Sequence, residues 1–323
     1  MSETSGIRPS GGVSSAAGRD APRATPGKSP EGIPPEGAPP SGPVSGSSPS
    51  HELPAHSGAQ TAAPVILVTG GARRIGRAFS LGFARRGWDV AVHYGGSQAE
   101  ADEVVAQIRA MGRRAVALHA DLADEAQVAR LVPDCARALG LPACVLNNAS
   151  RFEEDTARDV GYARLQHLMA INVGAPLVLA RTLWEATPEA AAQNESLRPC
   201  VINVLDQKLY NMNPDYLSYT LTKAALQNAT VALAQALAPK LRVVGLAPGL
   251  TLQSGDQTPE SFAAAHKVTP LGRASRPDDL VEAALYLAQA AGVTGSTLVV
   301  DGGQHLVPLP RDVMFLTGDQ ASA

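Results

Sequence analysis

The stretch Val65-Ile66-Leu67-Val68-Thr69-Gly70-Gly71-Ala72-Arg73-Arg74-Ile75-Gly76 decides the fold. Its first four residues form a short, uninterrupted apolar run of the kind that makes a parallel strand buried on both faces. The glycines that follow permit a tight turn, and the turn opens directly into a helical pattern from Ile75. Such a helix start presents free N–H groups and a partial positive charge to a pyrophosphate. In isolation a Gly-rich turn also serves simple helix–strand packing; the strand before and the helix after favour nucleotide binding.

Working outward, apolar runs recur at Asp89 to Val92, Ala115 to Leu118, Cys144 to Leu146, Val201 to Leu205, Arg242 to Leu246 and Thr297 to Val300. Helical stretches lie between them at Ile75 to Arg86, Gln98 to Met111, Glu125 to Leu139, Tyr162 to Glu185, Tyr216 to Ala238 and Asp278 to Gln289. This alternation predicts an α/β, single-domain, doubly wound Rossmann fold with a seven-stranded parallel sheet. The domain is expected over 64–310, with a short C-terminal tail over 311–323. Residues 1–63 are expected to form a disordered tail: of the first 60 residues, 33 are Gly, Pro or Ser and none is aromatic, too little apolar surface to offset the entropy of ordering.

Composition excludes several classes. The chain has 323 residues, a formal charge of −3 and an isoelectric point near 6.2, and lacks the clustered Lys and Arg of a nucleic-acid surface. No run of 18 apolar residues is present, and MSETSGIRPS lacks the apolar centre of a secretory signal, so no membrane association and a cytoplasmic location are expected. The three cysteines, Cys135, Cys144 and Cys200, are too few and scattered for a disulfide framework or a zinc site. The seven histidines show no ligating spacing, and no metal is expected.

In a doubly wound sheet, ligands bind at the carboxyl ends of the strands. After the first strand stand Gly70, Arg73, Arg74 and Ile75. The second ends in His93-Tyr94-Gly95-Gly96-Ser97, with no acid to hold a ribose 2′-hydroxyl; Arg73, Arg74 and the Ser97 hydroxyl would attract a 2′-phosphate instead, favouring NADP(H) over NAD(H). The arginines could equally be solvated helix-start residues. After the third strand, Asp121-Leu122 offers an acceptor for an adenine amino group or an N-cap. After the fourth, Asn147-Asn148-Ala149-Ser150 would satisfy backbone groups and wall the cofactor.

Tyr219 and Lys223 stand four residues apart, on one face of a long helix. A nearby cation would lower the phenol's pKa and suit it to general acid catalysis. With Ala247-Pro248-Gly249 and Val299-Val300-Asp301-Gly302-Gly303, these motifs resemble, in order and spacing, the short-chain dehydrogenase/reductase superfamily over residues 64 to 308. The resemblance implies that Tyr219 donates the proton, that Lys223 holds the nicotinamide ribose, that Asn172 positions a water relay, and that Pro248 and Gly249 border the nicotinamide of an NADPH/NADP cofactor.

Two positions depart from the usual pattern. Arg74 stands where most members carry glycine. Asp206 stands where most carry serine, thirteen residues before Tyr219. An ionised aspartate only accepts and would repel a developing alkoxide, which disfavours simple ketone reduction. It suits a C=N bond, which takes hydride at carbon and a proton at nitrogen, and it can accept from the amino-pyrimidine edge of a pterin. Arg74, Asp206 and Asn147-Asn148-Ala149-Ser150-Arg151-Phe152 together resemble pteridine and dihydromonapterin reductases. That likeness implies that Phe152 stacks on the substrate and that Arg74 and Ser150 contact substrate or cofactor phosphate. Asp206 could alternatively be a structural acceptor for its loop, and Phe152 simple packing. The leading expectation is an NADPH-dependent dihydropterin reductase; the others are a reductase of another carbonyl or imine, and a non-catalytic NADP(H)-binding module. Apolar helix faces and the resemblance imply a homotetramer, with the C-terminal segment reaching a neighbour's substrate site.

Overall fold

The computed structural model describes residues 62–253, 259–267, 269–273 and 275–316. The tail expected over 1–63 falls outside these residues except at Ala62 and Ala63, as does Ser254-Gly255-Asp256 of the stretch Leu250 to Ala265, the loop expected from the sequence to border the substrate.

Seven strands form one parallel sheet: β1 (Val65–Val68), β2 (Asp89–Tyr94), β3 (Ala115–His119), β4 (Cys144–Asn147), β5 (Cys200–Val204), β6 (Arg242–Pro248) and β7 (Thr297–Val300). Their order across the sheet is β3-β2-β1-β4-β5-β6-β7. β1 pairs on one side with β2, Val65 opposite Asp89, and on the other with β4, Ile66 opposite Cys144. The strand order therefore reverses between β1 and β4, and a crevice opens beyond their carboxyl ends.

The two-residue period of the strands divides the core. Ile66, Val68, Val90, Val92, Leu146 and Ile202 face one layer, where they meet Phe79 and Phe83 of α1 (Arg74–Arg85), Ile108 of α2 (Gln98–Ala110) and Leu280 of a helix near the C-terminus. Val65, Leu67, Ala91, Val145 and Val201 face the other, against Leu131 and Val132 of α3 (Glu125–Ala138).

The helix expected from Tyr162 to Glu185 is three pieces: α4 (Tyr162–Met169), a π-helical turn at Ala170–Gly174, and α5 (Ala175–Ala186). The turn inserts an extra residue and directs Asn172 inward, the usual use of such a bulge. α6 spans Leu217–Leu237. A further helix, α7 (Pro259–Lys267), begins inside the loop expected over Leu250 to Ala265 and runs two residues past it, followed by α8 (Pro277–Gln289), which carries Leu280. A short α9 (Val313–Leu316) falls inside the segment expected to be a tail. No helix among the described residues is long and apolar enough to cross a membrane.

Candidate active site

The crevice is a cleft of about 800 Å³ running from the glycine turn to Tyr219 and Lys223. Its shape begins with close approach of backbone to backbone. Gly70 adopts φ +60°, and a Cβ on Gly76 would lie 2.0 Å from the Gly70 carbonyl oxygen. Thr69 and Asn148 fasten this turn to β4: the Thr69 hydroxyl accepts from the Asn148 and Ala149 amides at 3.0 Å, and Asn148 Nδ2 donates to the Thr69 carbonyl at 3.0 Å. Arg74, where the sequence resemblance leads to glycine, holds φ +50°, a left-handed conformation that residues other than glycine adopt uncommonly and that clusters at functional sites. Its Nη2 donates to the Gln253 carbonyl at 2.9 Å, tying the turn to the substrate loop.

His93 supports the turn from below. The Gly70 amide donates to His93 Nδ1 at 3.0 Å, and Nε2 lies 3.1 Å from the Ala120 carbonyl. A neutral ring with its proton on Nε2 satisfies both contacts. Burial pulls its pKa down to about 4, which keeps it neutral.

At the chemical end, the Tyr219 hydroxyl donates to Asp206 Oδ2 at 2.7 Å. Asp206 Oδ1 accepts from the Lys208 amide at 2.8 Å, capping the 3₁₀ turn Gln207–Tyr210. Lys223 Nζ donates to the Val204 carbonyl at 2.7 Å and lies 5.6 Å from the Tyr219 ring centroid. The expected fall in the phenol's pKa is reversed. Burial first, and the Asp206 charge second, hold Tyr219 well above its ordinary value of 10.0. Burial also lowers Lys223 to about 8, with Asp206 opposing. The reason is geometric: the carboxylate meets the hydroxyl directly, whereas the ammonium bonds to the backbone. The phenol is thus held protonated, ready to donate.

The substrate end is walled by Phe152, which stacks on Tyr216 with ring centroids 4.2 Å apart and meets Tyr219 edge-on at 4.7 Å. Pro248, Gly249 and Leu250 also line the cleft. Gly249 is required there because a Cβ would lie 2.5 Å from Asp301 Cβ, and Gln304 Oε1 accepts from the Leu250 amide at 2.9 Å.

Of the residues expected in the site, Gly70, Arg73, Arg74, Ile75, Tyr94, Ser97, Asn148, Ala149, Ser150, Phe152, Asp206, Tyr219, Lys223, Pro248 and Gly249 line the cleft. Four are placed elsewhere. His93 lies beneath the turn. Asp121 accepts from the Ala123 amide at 2.9 Å, outside the lining with Leu122, and the N-cap of α3 is Asp124. Asn172 is buried behind the wall, bonded through its amide to both backbone groups of Arg151 and to the Thr222 hydroxyl at 2.9 Å. It fixes the loop after β4 that carries Ser150 and Phe152. Sequence reasoning missed Lys208, Gln304 and Asp312, which tertiary packing brings to the cleft lining, and Tyr216, which stacks on Phe152. Among the described residues no three His, Cys, Asp or Glu side chains are grouped to hold a metal ion.

Comparison with known proteins agrees with this geometry. A family model described as enoyl-(acyl carrier protein) reductase matches residues 70–305. An uncharacterized oxidoreductase of Mycobacterium tuberculosis is 35% identical over 245 residues, covering 74% of this chain and 91% of the relative. The oxidoreductase YghA of Escherichia coli is also 35% identical, over 74% of this chain and 82% of its own. Among solved structures, FolM alternative dihydrofolate reductase 1 from Brucella canis, complexed with NADP, is 37% identical with a TM-score of 0.72, covering 77% of this chain and 96% of that one. Its Brucella suis counterpart, also with NADP, is 38% identical with a TM-score of 0.71, covering 77% and 98%. With the family model spanning most of the chain and the Tyr219–Lys223 helix set against the glycine turn, this protein belongs to the short-chain dehydrogenase/reductase superfamily of oxidoreductases.

Proposed function

We propose that this chain is an NADPH-dependent reductase of a dihydropterin or related pteridine. The observation that carries this reading is the Asp206 carboxylate, 2.7 Å from the Tyr219 hydroxyl, in a cleft with the Phe152 ring on its wall. The Brucella relatives solved with NADP support it.

The residues present fit the cofactor. α1 has no acid in its first turn, and Gly70 and Gly76 approach so closely that a Cβ on Gly76 would force the glycine turn out of shape. Arg73 and Ser97, both lining the cleft, would hold a 2′-phosphate, and Asn148, Lys223 and Pro248 the nicotinamide half. When bound, NADPH supplies a hydride to a ring carbon of the substrate. Tyr219 delivers the proton to the adjacent ring nitrogen. That nitrogen, once it carries a developing negative charge, is far more basic than a phenolate, so a phenol held above its ordinary pKa still donates. Lys223 offsets the charge left on the tyrosine, and Asp206 accepts from the amino-pyrimidine edge.

The test is NADPH oxidation measured against a series of dihydropterins, beside a quinone and a 3-oxoacyl panel. The reading expects kcat/KM for a dihydropterin to exceed the other classes by about 100-fold or more. Faster turnover of a quinone or 3-oxoacyl substrate would replace it with a reductase of another carbonyl; tight NADPH binding without turnover would replace it with a binding module.

We further propose a homotetramer in the cytoplasm. Leu177 and Trp184 on α5, and Leu221 and Val231 on α6, are exposed, a pattern suited to subunit packing. The free, buried thiols Cys135, Cys144 and Cys200 suit a reducing compartment. Light scattering checks the first and fractionation of the source cells the second.

A further inference from the structure

Lys208 is 3% exposed, and the proton machinery does not use its ammonium. A cation so placed needs close compensation, since the interior cannot solvate it as water does. Its Nζ donates a short bond to the Asp215 carbonyl, lies 3.8 Å from Asp312 Oδ2 and sits 5.5 Å from the Tyr216 ring centroid. Its backbone amide meanwhile donates to Asp206 Oδ1. One residue thus touches both the acid beside Tyr219 and the C-terminal segment.

That segment returns over the chain's own cleft. Arg311 Nε donates to both Asp215 carboxylate oxygens, at 2.9 and 3.0 Å, and the Asp312 amide donates to Asp215 Oδ2 at 2.7 Å. The Phe315 ring lies nearly parallel to Tyr216 with centroids 6.0 Å apart, and Tyr216 stacks on Phe152. Three rings, Phe315, Tyr216 and Phe152, thus connect the segment around Asp312 to the substrate wall, and Asp312 and Val313 line the cleft.

We propose that the C-terminal segment of the same chain is part of the substrate site: Asp312 and Val313 meet the substrate, and Lys208 is the positioning residue that latches them beside Asp206. Only the identity of the substrate rests on the pteridine reading.

The experiment is a double-mutant cycle that compares the full-length protein, Lys208→Met, a chain ended after Pro310, and the two changes combined, using 7,8-dihydrobiopterin as probe. Each change is expected to raise KM about 10-fold, to lower kcat less than about 3-fold, and to leave the Kd for NADPH within about 2-fold. Because both act through one element, the combination should be no worse than the truncation alone. Additive effects, an unchanged KM in the truncated chain, or a parallel loss of NADPH binding would overturn the proposal. Should Lys208→Met fail to fold, Asp312→Asn releases the latch from its other end and is expected to raise KM at least about 3-fold; no rise overturns the proposal equally. If the wild-type protein reduces no pteridine, the substrate assignment falls by itself. The latch is then read from hydrogen exchange at the Asp312 and Phe315 amides, which Lys208→Met must accelerate at least about 10-fold without changing exchange in the sheet.

Discussion

The hydroxyl of Tyr219 points its hydrogen at Asp206 Oδ2, 2.7 Å away, so the residue that holds the transferable proton faces an acceptor rather than a second donor. A phenol fixed in this way is the natural source of the proton. Tyr219→Phe keeps the ring that packs against Phe152 and removes only the hydroxyl. Turnover should fall by about 10²- to 10⁴-fold while NADPH binding, measured by fluorescence titration, stays nearly intact. Unchanged turnover would remove Tyr219 from the mechanism.

The two ionisable partners on the helix, Tyr219 and Lys223, titrate in separate ranges. Tyr219 is held well above 10.0 by burial and by Asp206, so it remains protonated through the working range. Lys223, lowered by burial to about 8, is the group that changes charge there. kcat/KM should therefore decline above about pH 8 as the ammonium is lost. In Lys223→Arg, whose cation persists at alkaline pH, the residual activity should be flat between pH 7 and 10. A wild-type profile with no alkaline limb would contradict the assignment.

Much of this organisation is legible in the sequence because it is written in contiguous residues. The strands show as apolar runs because both faces are buried, and the glycine turn, Asp206 and the Tyr219–Lys223 spacing each lie within one local stretch. The break in the α4–α5 helix leaves only a faint signal, the polar Asn172 and Gly174 amid apolar residues. What could not be read depends on distant partners. Lys208 resembles any surface lysine until Asp215 and Asp312 are brought to it. Tyr216 is an ordinary helix-start residue until Phe152 and Phe315 stack on it. The direction of the Tyr219 shift likewise required knowing that the carboxylate, not the ammonium, touches the hydroxyl.

His93 makes the folded protein sensitive to acid. Its folded-state pKa of about 4 lies below the ordinary 6.5, so between those values the unfolded chain binds a proton that the native state refuses. Stability from this source is complete above pH 6.5 and is lost as the pH falls toward 4, amounting to about 3 kcal/mol in all. Urea unfolding at pH 7, 6 and 5 should show this loss in the wild-type protein and not in His93→Gln, which keeps a donor and an acceptor without the titration. Identical pH slopes for the two proteins would refute the account.

The glycine turn offers a matched pair of substitutions. At Gly76 a Cβ would lie 2.0 Å from the Gly70 oxygen and 2.7 Å from Asn148 Nδ2, whereas at Gly96 nothing stands within 4 Å. Gly76→Ala must push the turn away from Asn148, costing about 1–3 kcal/mol of stability and weakening NADPH binding by about 10-fold or more. Gly96→Ala should change neither property. Thermal unfolding and cofactor titration on both variants check the contrast, and equal behaviour would mean that the turn does not bind the cofactor closely.

Cofactor choice should reside in Arg73. Its side chain is mostly exposed at the cleft, with Nε 3.8 Å from Glu100, and the tip of β2 supplies Tyr94 and Ser97 but no carboxylate to repel a 2′-phosphate. A guanidinium binds phosphate through directed, charge-assisted hydrogen bonds that a ribose hydroxyl cannot match. Arg73→Ala should therefore lower kcat/KM with NADPH by about 10- to 100-fold and with NADH by less than about 3-fold. Because the contact is exposed and electrostatic, the wild-type preference for NADPH should also shrink as salt is raised, while the variant's remains constant. An equal fall with both cofactors would show instead that Arg73 supports the turn, and a wild-type preference for NADH would overturn the reading of this end of the cleft.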